Sequence, residues 1–260
     1  MARKNSNAKK GGNRLRRKVQ DMERMAFSNL QAMNEGPSRK NWTQHDLRNI
    51  KPLTETQKDM FHHFFQGQNV CAHGSAGTGK TFLALYLALN EVFNKDTPQD
   101  KVVIVRSPVS TREIGHMPGD LDEKIAYYET PYIDICAELL GRRNSYHDLK
   151  AAGKLEFMVT TNVRGLTWDD SVVVVDEGQN MNFHEINSVM TRMGVNTRIL
   201  FTGDIPQTDL RKTSRDQSGM EDFLNIINRM SSFASIEFTY HDIVRSEFVK
   251  EWIMASEGVI

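Results

Sequence analysis

A glycine-rich loop that joins a short apolar run to a long helix-forming run constrains this fold more than any other feature. Residues 69–73 (NVCAH) predict a strand, residues 74–81 (GSAGTGKT) fit the pattern G-x-x-x-x-G-K-[ST] in full, and residues 80–94 predict a helix. Glycines allow positive φ and let backbone N–H groups approach an anion, and the helix N-terminus adds partial positive charge. This context predicts a phosphate-binding loop of the Walker A type rather than a turn without a ligand.

The lysine and threonine that end the loop indicate the kind of phosphate compound. Lys80 can reach the β- and γ-phosphates of a nucleotide, and the Thr81 hydroxyl can ligate Mg²⁺. We therefore predict a nucleoside triphosphate and Mg²⁺ as cofactors. The residues predicted to bind the nucleotide at this loop are Gly74, Ser75, Ala76, Gly77, Thr78, Gly79, Lys80, Thr81 and Phe82.

The rest of the chain alternates apolar, β-branched runs with helix-forming runs. Strands are predicted at residues 101–107, 155–160, 170–177, 197–204 and 234–240, and helices at residues 119–141 with an interruption at Pro131, 183–193 closed by Gly194, 219–230 and 242–256. Continuously apolar strands are typical of parallel strands that are buried on both faces. The sequence thus predicts a doubly wound α/β fold, with a mostly parallel sheet and helices on both faces.

Two acidic residues end the most apolar of these strands. Asp176 and Glu177 follow four consecutive valines, and open α/β sheets bind ligands at the carboxyl ends of their strands. We predict that Asp176 holds Mg²⁺ and that Glu177 orients or deprotonates an attacking water, which favours hydrolysis over transfer to an acceptor. The alternative is a solvated strand end with two exposed acids.

A further strand also ends in polar residues. Thr202, Gly203 and Asp204 close the run at residues 197–204, and Gln207 follows. Groups at this position can contact the γ-phosphate region and report whether it is present. The alternative is a turn with an Asx cap before the next segment.

The motifs taken in order resemble the PhoH family, relatives of superfamily-one helicases with a RecA-like P-loop ATPase core. The resemblance covers about residues 53–256 and is carried by LTETQKDMF, GSAGTGKT, VVIVRSPVSTREIGHMPGDLDEKIAYY, TTNVRGLTWDDSVVVVDEGQN, TGDIPQTDL and DIVRSEFV. One departure is Gly178, which stands where the family usually has alanine in D-E-A-Q. We expect little to depend on it.

The resemblance also implies roles for residues outside the phosphate loop. Gln57, in a segment similar to the helicase Q-motif, would read the adenine. Gln207 would belong to a segment similar to helicase motif III, and Arg245 would contact the γ-phosphate. The implied catalytic set is then Lys80, Asp176, Glu177, Gln207 and Arg245.

Charge divides the chain into a basic N-terminal extension, residues 1–50, and an ATPase domain, residues 51–260. No acidic residue precedes Asp21, so we expect residues 1–20 to be disordered and the remainder of the extension to be partly disordered or helical. The extension could bind nucleic acid by counterion release or be a solvated tail. No apolar run approaches the length of a membrane helix, and the cysteines Cys71 and Cys136 are expected to be reduced, so we predict no membrane partner and a cytoplasmic location.

A polar segment at residues 108–124 follows the strand at residues 101–107, which we expect to lie next to the phosphate-loop strand. The segment carries Arg112 and His116. Its cationic and hydrogen-bonding groups favour contact with single-stranded nucleic acid, with an oligomer or lid contact as the alternative. Neither His116 nor the pair His62-His63 has the spacing of metal ligands.

Together these features predict a Mg²⁺-dependent ATP hydrolase with helicase-like coupling to RNA or single-stranded DNA. Two alternatives remain, an ATP-dependent oligomeric switch or scaffold with slow hydrolysis and no motor activity, and a phosphotransferase. Because the sequence leaves no room for a second RecA-like core, we expect a homo-oligomer, in the form of a hexameric ring. An arginine from a neighbour would then complete each site, and the candidates are Arg164, Arg211 and Arg215.

Overall fold

The computed structural model describes residues 41–108, 121–204 and 218–260. Several predictions concern residues outside these ranges. They are the disordered or helical character of residues 1–40, the roles of Arg112 and His116, the motif III role of Gln207, and the trans roles of Arg211 and Arg215.

The described residues form a sheet of six strands with helices between them. The strands are β1 (Asn69–Gly74), β2 (Lys101–Arg106), β3 (Leu155–Val159), β4 (Ser171–Asp176), β5 (Arg198–Gly203) and β6 (Phe233–Phe238). The α-helices are α1 (Glu55–Phe65), α2 (Lys80–Val92), α3 (Leu121–Leu140), α4 (Ser145–Ala151), α5 (Phe183–Met190), α6 (Met220–Ile227) and α7 (Glu247–Ser256).

The strand order is β3-β2-β4-β5-β1-β6, and every pair of neighbours is parallel. The carboxyl ends of all six strands therefore lie at the same end of the sheet, which confirms the predicted RecA-like α/β fold. β5 lies between β1, which leads into the glycine loop, and β4, which carries the acidic pair. The expectation that β2 is next to the phosphate-loop strand is wrong, because β4 and β5 separate β2 from β1.

The valine-rich strands are apolar throughout because each contributes side chains to two separate cores. In β4, Val172 and Val174 pack into one buried cluster, whereas Val173 and Val175 pack into the other. Successive side chains of a strand point to opposite faces. Burying each such side chain contributes about 1.5–3 kcal/mol, so the strands are fixed from both sides.

Helices cover both faces of the sheet, as predicted. Side chains of α1, α2, α3 and α4 fill the first cluster. Side chains of α5 and α6, together with Trp168, fill the second. None of the helices in the described part of the chain combines the length and apolar character that crossing a bilayer requires.

Helix α3 differs from its prediction, because it continues through Pro131 without interruption. Its buried residues Tyr128, Tyr132, Cys136 and Leu139 are spaced so that one face of the helix stays against the core on both sides of the proline. Packing of that face offsets the one backbone hydrogen bond that a proline removes. Tertiary contacts therefore override the local signal.

Two other helix boundaries were predicted wrongly, and α4 was not predicted. Helix α5 ends at Met190 rather than near Gly194. The amide of Gly194 instead donates to the carbonyl of Trp168 at 2.8 Å. Helix α7 begins at Glu247, because residues 243–246 are held in a non-helical path by the backbone bond from Val244 to the carbonyl of Gly77 at 3.2 Å.

Gly178 matters more than the sequence indicates. An ideal Cβ at this position would overlap the ring of Phe201 on β5. That ring is buried and packs against Phe223 of α6, with centroids 4.3 Å apart. The aromatic ring thus occupies the space that an alanine methyl would need.

Gly178→Ala is predicted to lower the free energy of unfolding by about 2 kcal/mol, because the added methyl must displace the Phe201 ring from a packed core. Urea unfolding measures the loss. In Gly178→Ala/Phe201→Leu the smaller side chain makes room, so the double variant should lose less than the sum of the two single losses. Strictly additive losses would contradict this account.

Candidate functional site

The glycines of the loop adopt backbone conformations that other residues rarely reach. Gly74, Gly77 and Gly79 have φ of 113°, 72° and 86°. A Cβ on Gly74 would also overlap the carbonyl oxygen of Phe238, which accepts the amide of Ser75 at 2.8 Å. Gly79 immediately precedes α2, so the loop opens directly onto a helix N-terminus.

Lys80 is curled into the loop and is only 6% exposed. Its ammonium donates to the carbonyls of Gly74 at 3.3 Å and Ser75 at 2.5 Å and to the Thr78 hydroxyl at 3.1 Å. It also forms an ion pair with Asp204 at 2.8 Å. A buried ammonium needs such partners, and a phosphate oxygen at the loop can replace them.

Asp176 is buried at the end of β4 and accepts hydrogen bonds from side chains of three different elements. Thr81 donates to Oδ1 at 2.7 Å, Thr202 donates to the same oxygen at 2.6 Å, and Tyr132 donates to Oδ2 at 2.8 Å. The Thr81 bond joins the phosphate loop directly to the acidic strand. The two predicted metal ligands, Thr81 and Asp176, are therefore in contact.

The donor set at this contact fits Mg²⁺. A hydroxyl and a carboxylate are hard oxygen ligands, and Mg²⁺ usually combines one or two such groups with waters and substrate phosphates. Within the described residues there is no group of three or more His, Cys, Asp or Glu that could hold a metal. The pair of Thr81 and Asp176 could thus hold an ion that the nucleotide also ligates.

Glu177 leaves the strand in a left-handed conformation, with φ of 55°. Its carboxylate accepts a hydrogen bond from Gln179 Nε2 at 2.7 Å and lies 4.0 Å from the guanidinium of Arg106. Burial raises the pKa of the Glu177 carboxyl, and Asp176 and Asp204 raise it further, while Arg106 and Gln179 act in the opposite direction. A carboxylate of raised pKa is a better proton acceptor, as a general base requires.

Gln179 connects the acidic pair to the end of β5. Its side-chain nitrogen Nε2 donates to the Glu177 carboxylate, and its oxygen Oε1 accepts a hydrogen bond from the backbone N–H of Asp204 at 2.9 Å. Asp204 in turn holds Lys80. The third predicted strand end, at Thr202, Gly203 and Asp204, therefore lies between the loop and the acids and contacts both.

Gln57 and Arg245 approach the loop from distant parts of the sequence. Gln57 is buried, accepts the amide of Leu53 at 2.7 Å and donates to the carbonyl of Thr78 at 3.1 Å. Arg245 is exposed at the side of Gly77. Arg164 lies elsewhere, where its guanidinium contacts His184 at 3.0 Å.

One cavity of about 550 Å³ collects most of the predicted site. The predicted residues that line it are Gln57, Gly77, Thr78, Gly79, Lys80, Thr81, Phe82, Asp176, Glu177 and Arg245. Gly74, Ser75 and Ala76 are not part of the lining, and the Ser75 hydroxyl is engaged with Glu257 at 3.1 Å. The volume is in the range of small-molecule sites.

Sequence reasoning missed Tyr132, Arg106 and Gln179 as parts of the site. Tyr132 reaches Asp176 across 44 residues of sequence, and no local pattern indicates such a contact. Arg106 ends β2 and is separated from the loop by two strands. Gln179 lies in the segment DEGQN, and its spacing from the acids was the one available signal.

Two solved structures align with most of this chain at low sequence identity. The large terminase of a thermophilic bacteriophage in complex with ADP aligns at 14% identity with a TM-score of 0.49, covering 78% of this chain and 50% of that one. The Pif1 helicase of Candida albicans aligns at 14% identity with a TM-score of 0.37, covering 77% and 43%.

Curated relatives are more similar in sequence. The PhoH-like protein of Synechocystis is 34% identical over 71% of this chain and 55% of its own length. Protein PhoH of Escherichia coli K12 is 29% identical over 81% and 60%, and the PhoH-like protein of Bacillus subtilis is 31% identical over 80% and 64%. The chain thus spans 55% to 64% of the length of these relatives.

A family model described as PhoH-like protein matches residues 49–257. That range contains the glycine loop, the acidic pair, the end of β5 and Arg245, which are the parts that resemble the family in sequence. The chain is a member of the PhoH-like protein family.

Proposed function

We propose that this protein binds ATP with Mg²⁺ in the cavity at the glycine loop and hydrolyses it. The observation that carries the proposal is the hydrogen bond of 2.7 Å between Thr81 and Asp176. It brings the phosphate loop and the acidic pair, which are far apart in sequence, to one cavity of nucleotide size.

Each side chain has a task in this proposal. Lys80 exchanges its ion pair with Asp204 for the β- and γ-phosphates, and Arg245 approaches the γ-phosphate from the side of Gly77. Glu177 orients or deprotonates the attacking water, while Gln179 fixes the direction of its carboxylate. Mg²⁺, held by Thr81 and Asp176, supplies neutralisation of the charge on the phosphate oxygens.

Gln57 and Gln207 have roles that rest on the family resemblance. Gln57 lines the cavity beside Gly79, which is the side on which it would meet the adenine. Its amide already holds the Thr78 carbonyl, so it couples base recognition to the shape of the loop. Gln207 follows Asp204 in sequence and would act beside the γ-phosphate.

ATP turnover is coupled in this proposal to binding or remodelling of RNA or single-stranded DNA. Support comes from β2, which ends in Arg106 at the cavity and is followed in sequence by the polar residues 108–124. The cationic extension at residues 1–50 adds charge for phosphate contacts. The phosphate backbone of a nucleic acid and the bound nucleotide would then both lie at the carboxyl ends of the strands.

The active form in this proposal is a homo-oligomer, most simply a hexameric ring. Arg245 and Val244 line the cavity, and both are exposed. A neighbouring subunit can place an arginine there, from Arg164, Arg211 or Arg215. Such a contribution in trans is worth about 10³–10⁵ in rate in related chemistry.

Glu177→Gln should bind ATP normally and slow turnover by about 10²–10⁴-fold, because the amide cannot accept a proton from water. Phosphate release and binding of a fluorescent ATP analogue measure the two properties separately. Lys80→Ala should instead weaken nucleotide binding itself. Glu251→Gln, an exposed carboxylate on α7, is the matched control. Normal hydrolysis by Glu177→Gln would show that the base is assigned wrongly.

Single-stranded RNA or DNA should stimulate phosphate release, and the stimulation should fall as salt rises, since phosphate contacts release counterions. Rates are measured with and without each polymer over a range of salt. Arg112→Ala should weaken the stimulation, and Arg229→Ala, an exposed arginine in a different region, should not.

Other results would favour the alternative functions. Assembly stabilised by ATP with no stimulation by either polymer would favour the oligomeric switch. A phosphorylated acceptor in place of free phosphate would favour a phosphotransferase. A salt dependence unchanged by deletion of residues 1–20 would remove the extension from the nucleic-acid contact.

Mixing two inactive variants should restore activity if an arginine acts in trans. Arg164→Ala, Arg211→Ala and Arg215→Ala are each mixed with Glu177→Gln, which still carries the arginine that a neighbour needs. One arginine variant should be inactive alone and recover in the mixture, whereas Arg229→Ala should be active throughout. Light scattering that finds only monomers with ATP and Mg²⁺ would contradict this prediction.

A further inference from the structure

Tyr132 is a fully buried tyrosine whose hydroxyl reaches the carboxylate of the acidic strand. It lies on α3 and is 0% exposed. Its hydroxyl donates to Asp176 Oδ2 at 2.8 Å. No motif of the sequence points to this residue, and the roles described above do not use it.

The two oxygens of Asp176 have different surroundings. Oδ1 accepts from Thr81 and Thr202, on the side of the phosphate loop. Among the described residues, Tyr132 is the one hydrogen-bond donor to Oδ2. Tyr132 therefore holds Oδ2, while Thr81 and Thr202 hold Oδ1.

The phenol is itself held in place. Its ring packs against Phe157 of β3, with centroids 5.7 Å apart, and its hydroxyl is close enough to Arg106 for an electrostatic interaction. A phenol keeps its proton at neutral pH, so the hydroxyl remains a donor. A rigid neutral donor is suited to orienting a carboxylate.

We propose that Tyr132 is a positioning residue for Mg²⁺, which fixes Asp176 so that Oδ1 faces Thr81 and the cavity. This inference rests on the proposed function of the same site. Partners that orient a metal ligand without touching the ion typically change metal affinity by 10–100-fold when they are lost. If Tyr132 only stabilised the fold, its loss would not weaken metal binding selectively.

Tyr132→Phe removes one oxygen and keeps the ring. The dissociation constant of a fluorescent ADP is measured in EDTA, and Mg²⁺ is then titrated at saturating ADP, with Mn²⁺ binding followed independently by electron paramagnetic resonance. We expect the affinity for ADP in EDTA to be unchanged and the affinity for either metal to fall by about 10-fold or more. Tyr86→Phe, a buried tyrosine of α2 that stacks on Phe61, should leave both affinities unchanged.

The outcomes separate this inference from the proposed function. Wild-type protein that binds no nucleotide, or binds it without help from Mg²⁺, would overturn the proposed function and this inference together. Wild-type protein that responds to Mg²⁺ beside a Tyr132→Phe variant of equal metal affinity would overturn the inference alone. The inference would also be overturned if Tyr132→Phe lost as much affinity for ADP in EDTA as it loses for the metal.

Thermal unfolding in EDTA establishes that Tyr132→Phe is folded under the conditions of the titration. If it is not folded, the same titration on protein with 4-aminophenylalanine at position 132 decides the question, because the amine keeps a donor at the same place. Metal affinity retained in that protein supports the positioning role. Metal affinity lost there with the fold intact overturns it.

Discussion

The site depends on a buried carboxylate that three elements must share. Asp176 is 4% exposed, and burying such a group is costly unless its oxygens receive hydrogen bonds. Thr81 from α2, Thr202 from β5 and Tyr132 from α3 provide them. Each of these elements is therefore joined to the end of β4 by a hydrogen bond to the same carboxylate. The position of the phosphate loop relative to the acidic pair follows from that shared carboxylate.

The strand order explains why the loop and the acids are linked rather than merely close. Because β5 lies between β1 and β4, its end is the natural bridge between them. Asp204 holds Lys80 on one side, and its backbone amide is bound on the other side by Gln179, which also holds Glu177. A phosphate that takes Lys80 away from Asp204 would thus alter a chain of contacts that ends at the proposed base. In this way occupancy of the loop can be transmitted to the proposed base.

Patterns local in sequence predicted the strands, the glycine loop and the acidic pair, because buried parallel strands and phosphate loops have local signatures. Contacts between distant segments left no such signature. Tyr132 reaches Asp176 from a helix whose proline suggested a break, and Phe201 fills the space beside Gly178. The non-helical path of residues 243–246 was also missed, since a bond to Gly77 overrides their helical propensity. What the sequence could not supply were tertiary contacts, which decide packing at the site.

The loop is held in shape by both ends of the described domain. Gln57, near its start, donates to the carbonyl of Thr78. At its other end, the amide of Val244 donates to the carbonyl of Gly77, and Glu257 at the end of α7 accepts the hydroxyl of Ser75. These bonds engage the carbonyls of Gly77 and Thr78 and the hydroxyl of Ser75. Because α1 and the residues that flank α7 bind neighbouring residues of the same loop, a loop that closed on phosphate would have to move them or be stiffened by them.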